Sequence, residues 1–163
     1  MQLTKRSTWQ AIEVRTARLQ DAAAMAELSS QLGYPVSPGD LEKRLGRVLE
    51  RSDELVLVAS DGVSGVIGWV HGAEQRFLEA GPRCELLGLV VDTGHRRRGV
   101  GQQLINGVEQ WAQSRGLNEV SVRSNIVRAE SHPFYQSLGY QRTKTQHVYR
   151  KPLDSSRAPQ GPA

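Results

Sequence analysis

Arg96, Gly99 and Gly101 stand at the spacing Arg-x-x-Gly-x-Gly, inside the segment Val90-Val91-Asp92-Thr93-Gly94-His95-Arg96-Arg97-Arg98-Gly99-Val100-Gly101. Residues of these types in this order suit an anion. Glycine lets the backbone approach a diphosphate with no Cβ in the way. An apolar run, Cys84 to Val91, precedes the turn, and Val100, Leu104, Val108 and Trp111 follow it at helical spacing. The first N–H groups of such a helix have no intrahelical partners, and its dipole favours negative charge there. The three arginines add positive charge at the mouth. Two phosphate motifs are excluded: a P-loop needs a Gly-Lys-Ser/Thr ending that is absent, and a dinucleotide fingerprint needs glycine where Leu104 stands. A plain glycine turn beside solvated arginines stays compatible with the same residues.

Other side chains with reactive chemistry are few. Glu85 lies in the apolar run, His71 in a β-branched segment, and His132 beside Pro133 at a helix start. Cys84 is the single cysteine, so no internal disulfide forms and a reducing, cytoplasmic setting is expected. No cluster has metal-ligand spacing, and no metal is expected. The N-terminal Met1 to Gln10 is polar, without the apolar centre of a signal peptide. No apolar run approaches the roughly 18 residues of a membrane span, so no membrane partner is expected. The net charge of +4 is mild and aromatics are 6%. A nucleic-acid binder would gather more charge and more stacking rings, so no nucleic-acid partner is expected.

The elements that must position these residues follow from periodicity. Ala11 to Thr16 reads as an opening strand; Asp21 then begins a helix carrying Ala24, Leu28 and Leu32 and ending at Gly33. Ser37-Pro38 starts a second helix with Leu41, Leu45, Val48 and Leu49 on its apolar face. Strands are expected at Leu55 to Ala59, Val63 to His71, Cys84 to Val91 and Val120 to Arg123, with Gln75 to Pro82 a loop. A helix from Val100 ends at Arg115-Gly116, and a short one spans Glu130 to Leu138. Tyr140 to Thr143 and His147 to Lys151 read as a closing hairpin. The outcome is one mixed α/β layered domain over residues 1–153, with 1–10 a flexible extension and 154–163 a disordered polar tail.

The chain resembles the GNAT superfamily of acetyl-CoA-dependent N-acetyltransferases, whose central motif is Gln/Arg-x-x-Gly-x-Gly/Ala. Leu87-Gly88-Leu89-Val90-Val91 is similar to the family's fourth strand, which splays from the fifth. Asn125 matches an asparagine often found near the pantetheine arm. Phe134-Tyr135-Gln136-Ser137-Leu138-Gly139-Tyr140 resembles the signature Phe-Tyr-x-x-x-Gly-Phe/Tyr. The likeness runs from about Ile12 to Leu153. One departure stands out: Thr93-Gly94-His95 replaces the usual Pro-x-x lead-in, which implies a more flexible loop entry.

The resemblance implies a mostly antiparallel sheet with a splayed parallel pair of fourth and fifth strands, flanked by four helices. It implies acetyl-CoA as co-substrate, its pyrophosphate on the amides of roughly Arg97, Arg98, Gly99, Val100, Gly101 and Gln102. Leu89 and Val91 would align the pantetheine through their main chain, Arg96 would cap the loop, and the Val90 amide would face a developing oxyanion. Tyr135 is the expected general acid. Glu85, fourteen residues before Gly99 as in some histone-acetylating relatives, is the expected base if it shares a strand face with Leu87 and Leu89, and is otherwise a strand-end charge that pairs with Arg83 or an acceptor's ammonium. On the acceptor side, Tyr34 and His71 are candidates, and carboxylates of Glu74 to Glu79 could attract a cationic amine. The expected reaction is direct attack by a primary amine, foremost that of a small molecule, in a ternary complex. Protein lysine or N-terminal acetylation and a non-catalytic acetyl-CoA sensor remain open alternatives. Dimers are frequent among similar proteins, so a homodimer is open as well.

Overall fold

Strand residues Glu13–Thr16 (β1) begin the fold, followed by helices Ala22–Gln31 (α1) and Pro38–Leu49 (α2). Three strands come next: Glu54–Ser60 (β2), Val66–Phe77 (β3) and Gly81–Val91 (β4). Helix Val100–Ser114 (α3), strand Val120–Val122 (β5) and helix Ser131–Ser137 (α4) complete it. The computed structural model describes residues 11–154, so the expectations for Met1 to Gln10 and for the tail beyond Asp154 lie outside the described residues. The chain divides into two compact units, one ending at Asn125 and one starting at Ile126. The sheet and α1 to α3 belong to the first, α4 to the second.

The sheet order is β1-β2-β3-β4-β5, antiparallel except for the parallel β4–β5 pair. This is the mixed, mostly antiparallel sheet that the resemblance implies. Side chains alternate between its faces. Val56 and Val58 pack with Ala17, Ala22, Met25 and Leu45 on the α1–α2 face, where Trp69 joins them. On the opposite face α3 lies close to β3, because Gly68 and Gly72 carry no side chains there. A Cβ on Gly68 would meet the Val90 carbonyl at 3.0 Å, Val100 at 3.1 Å and Leu104 at 3.2 Å. Gly68→Val is therefore expected to cost about 1–3 kcal/mol. Thermal unfolding should show the melting temperature drop by about 2–12 °C; an unchanged value would contradict this packing.

Local signals explain the helix boundaries. Ser37 caps α2, its hydroxyl accepting from the Asp40 amide at 3.1 Å, with Pro38 at the first helical position. Asp21 begins α1, but its carboxylate does not cap that helix. It accepts instead from the Arg15 guanidinium at 2.8 Å and the Arg18 amide at 2.7 Å, tying β1 to the helix start.

Two expectations are corrected. Gln75 to Pro82 is not a loop: β3 and β4 continue through it, pairing Gln75 with Arg83 and Phe77 with Gly81, and only Leu78 to Ala80 turn. The polar residues suit an exposed ladder, and Arg83 stacks over the Phe77 ring at 4.2 Å. The closing hairpin is absent from the described residues: Tyr140 to Asp154 form no ladder. Val148 and Tyr149 are exposed, so no buried face rewards pairing, and a lone two-stranded hairpin is marginal in water.

Candidate active site

Two features of β4 prepare the site. The first is its splay from β5. Pairing covers only Cys84↔Val120, Glu85↔Ser121 and Leu86↔Val122, and past Leu86 that edge of β4 has no ladder partner among the described residues. On the other edge, Val90 pairs with Trp69, and the Asp92 amide donates to the Ile67 carbonyl at 2.8 Å. Hydrogen bonding alternates along an antiparallel pair, so the Val90 main chain is turned to β3 while those of Leu89 and Val91 face the open edge. The main-chain groups left on the open edge are thus those of Leu89 and Val91. The Val90 amide, expected to face an oxyanion, is committed to the sheet instead.

The second feature is a bulge. His71 pairs with Gly88 and Gly72 with Leu86, leaving Leu87 as an extra, half-exposed residue. This residue shifts the side-chain alternation. Glu85 therefore shares the α1–α2 face with Gly88 and Val90, not the face of Leu89, and the expected common face is corrected. The Glu85 carboxylate is buried, and its Oε1 accepts from Arg123 Nε at 2.8 Å. Cys84 is fully buried on the α3 face, where loss of hydration pushes its thiol up to about 11, away from nucleophilic use.

Beyond β4 the chain enters the turn. Asp92 accepts from the Gly94 amide at 3.1 Å and caps a short 3-10 turn at Thr93–His95. Arg97 has φ +64°, a left-handed conformation uncommon outside glycine, and Gly99 follows at φ +77°. Strain of this kind, of order 1–3 kcal/mol at Arg97, gathers at functional sites. Gly99 precedes α3, and among the described residues no side chain caps that helix. The first amide to reach a helical carbonyl is that of Gln103, bonding Gly99 at 3.0 Å. The N–H groups of Val100, Gly101 and Gln102 thus lie ahead of the ladder. Gly99, just ahead of these donors, is exposed. Arg96 and Arg97 are exposed beside it and Arg98 is half-buried. Asn125 lies exposed just past β5.

The His95 ring joins the turn to the rest of the sheet. Its Nδ1 lies 2.6 Å from Asp92 Oδ2, and its Nε2 lies 3.3 Å from Asp61 Oδ2. Asp61 accepts in turn from the Val63 and Ser64 amides at 3.0 and 2.7 Å, and these bonds, the Ser64 amide foremost, hold its carboxyl down to about 2. No spacing rule joins residues 61 and 95, so this bridge was not visible in the sequence.

The acceptor-side candidates are spread out. His71 Nε2 lies 2.8 Å from Glu54 Oε2, a carboxylate that also accepts from Arg51 at 2.7 Å. Tyr34, after α1, is 58% exposed and not folded into the core. Glu74 is corrected: its carboxylate is taken by Arg115 at 2.7 Å and Arg76 at 2.9 Å, on the α3 face, and is not offered to an amine. The buried Trp69 indole N–H, on the α1–α2 face, has no hydrogen-bond partner among the described residues, a feature that residue type alone does not reveal. Among the described residues, no group of three metal-ligating side chains gathers.

In the second unit, Tyr135 stands edge-on to Phe134 and Tyr140, with ring centroids 5.2 and 5.9 Å away. The Tyr135 carbonyl accepts from the Leu138 and Tyr140 amides. Burial raises its phenol above the usual range, with Arg128 opposing.

A splayed strand edge running into a strained glycine turn and a helix start defines an acyl-CoA-dependent N-acetyltransferase. Residues 21–140 match the acetyltransferase (GNAT) family, and the chain belongs to it. It is 27% identical over 124 residues to an aminoglycoside N(6')-acetyltransferase type 1 of Salmonella typhimurium, covering 72% of this chain and 84% of that protein. It is 34% identical over 88 residues to human N-acetyltransferase 8, covering 54% of this chain but only 38% of the human protein. Among solved structures, an aminoglycoside N-acetyltransferase in complex with CoA superposes with a TM-score of 0.80 at 21% identity, covering 93% of this chain and all of that one. No described helix is long and apolar enough to cross a membrane.

Proposed function

We propose that this chain transfers the acetyl group of acetyl-CoA to a primary amine of a small molecule, by direct attack in a ternary complex. The observation that carries this reading is the open β4 edge at Leu89 and Val91 leading into the free amides of Val100 to Gln102. Such an edge suits a chain of amides like pantetheine, and such a helix start suits a pyrophosphate. The exposed Gly99 and the amides that follow it suit that group, with Arg96, Arg97 and Arg98 neutralising phosphate and Asn125 beside the arm. When bound, acetyl-CoA supplies the activated thioester. The open amides of Leu89 and Val91 stabilise negative charge on a carbonyl oxygen that reaches them.

An alkylammonium, with a reference pKa of about 10.4, must lose a proton before it attacks. Glu85 takes that proton through Oε2, directly or through water, since Oε1 is held by Arg123. Tyr135 is the general acid for the departing thiolate, its raised phenol keeping the proton at neutral pH. The α1–α2 face, with Tyr34 and His71, receives the acceptor. The aminoglycoside acetyltransferase relative favours a small-molecule amine.

A thiol-release screen with acetyl-CoA against aminoglycosides, polyamines, amino acids and short peptides tests this reading. Amine-dependent release with the small molecules is expected, reduced at least about tenfold by Glu85→Gln. Turnover of peptides alone would move the assignment to protein acetylation. CoA binding without any acceptor turnover would make the chain a sensor.

A further inference from the structure

We propose that His95 is a positioning residue for acetyl-CoA, clamping the entry of the pyrophosphate turn to the turn that follows β2. This inference rests on the reading of Arg96 to Gln102 as the CoA-holding turn. His95 immediately precedes Arg96, and its two ring nitrogens face carboxylates from two different connections. Asp92, at the end of β4, lies 2.6 Å from Nδ1; Asp61, at the end of β2, lies 3.3 Å from Nε2. The ring cannot rotate without losing either the hydrogen bond to Asp92, the stronger kind because its acceptor is an ionised carboxylate, or the longer electrostatic contact to Asp61.

Both anchors are themselves fixed. The Val63 and Ser64 amides hold Asp61 Oδ1, while the Asp92 amide is bonded to Ile67 in β3. Asp92 Oδ2 also accepts from Gly94, and Gln31 of α1 accepts from the Thr93 amide at 3.4 Å. The segment Thr93-Gly94-His95 lacks a proline to stiffen it, and it is tied down by side chains instead. The left-handed Arg97 and the amides beyond it begin two residues later. A turn pre-shaped in this way loses less conformational freedom when a ligand arrives.

Removing the clamp should therefore weaken binding more than chemistry. Titration calorimetry with CoA is the direct test, on the wild-type chain, His95→Ala, His95→Phe and Asp61→Asn. The Asn variant keeps an oxygen for the Val63 and Ser64 amides but removes the carboxylate facing His95. About tenfold weaker CoA binding is expected in all three, roughly the loss of one good polar contact. The KM for acetyl-CoA should rise in parallel, with kcat at saturation within about twofold of wild type. CoA affinity unchanged in His95→Phe and Asp61→Asn, or a fall in kcat with KM unmoved, would overturn the proposal. Absence of CoA binding to the wild-type chain would instead defeat the reading of the turn, and this inference with it.

Discussion

Tyr135→Phe is expected to lower kcat and kcat/KM together by about 100-fold, while the affinity for CoA stays within about twofold. Positioned proton donors contribute typically 10²–10⁴-fold. The lower end applies here because a thiol, with a reference pKa of about 8.5, is already a tolerable leaving group. Phenylalanine keeps the edge-on packing against Phe134 and Tyr140 and removes only the hydroxyl. The melting temperature should then change little, so a rate loss cannot be put down to unfolding. Equal losses in kcat and kcat/KM are the mark of an interaction made only in the transition state. The pH profile gives a second reading. Burial raises the Tyr135 phenol, so the protonated donor persists through neutral pH and is lost only as pH climbs through that raised value. The wild-type rate should fall on that alkaline side, and the Phe variant should lack that limb. Single-turnover rates that match wild type would leave Tyr135 a packed aromatic and nothing more.

The parts of the fold that read clearly from the sequence were those with local causes. Val100, Leu104, Val108 and Ala112 are all buried at helical spacing, so α3 was marked out, and Gly116 ends it at φ +74°. The glycine turn was equally plain, because its chemistry is carried by adjacent residues. What escaped depends on partners distant in the chain. Residues 75–82 look like a polar loop, yet Gln75 and Arg83 pair across a long hairpin. The bulge at Leu87 adds a single residue that no composition signals, and it moves Glu85 to the other face from Leu89. A lead-in without proline suggested a loose entry, whereas Asp61, 34 positions before His95, helps to hold it. Spacing rules see along an element; they do not see across a sheet.

Gly99→Val is expected to weaken CoA binding by about 100-fold, a change of about 2.7 kcal/mol, and to raise the KM for acetyl-CoA by a similar factor. Two effects act together. At φ +77° a β-branched residue is strained by about 1–3 kcal/mol, and it relieves that strain by moving away from the left-handed region. Such a move redirects the Val100 to Gln102 amides, whose alignment depends on the residue at which the helix begins. A valine that kept the conformation would instead add a branched side chain at the exposed residue that leads into those amides. Either response removes the site. Gly99→Ala separates the two effects, since it carries the φ cost with far less bulk and should lose roughly tenfold. The test is calorimetric titration of CoA into both variants, with Tyr135→Phe as the contrast. A turn that merely starts a helix would give Gly99→Val a lower melting temperature and an unchanged CoA affinity. A turn that holds the donor must lose affinity in the order Gly, Ala, Val.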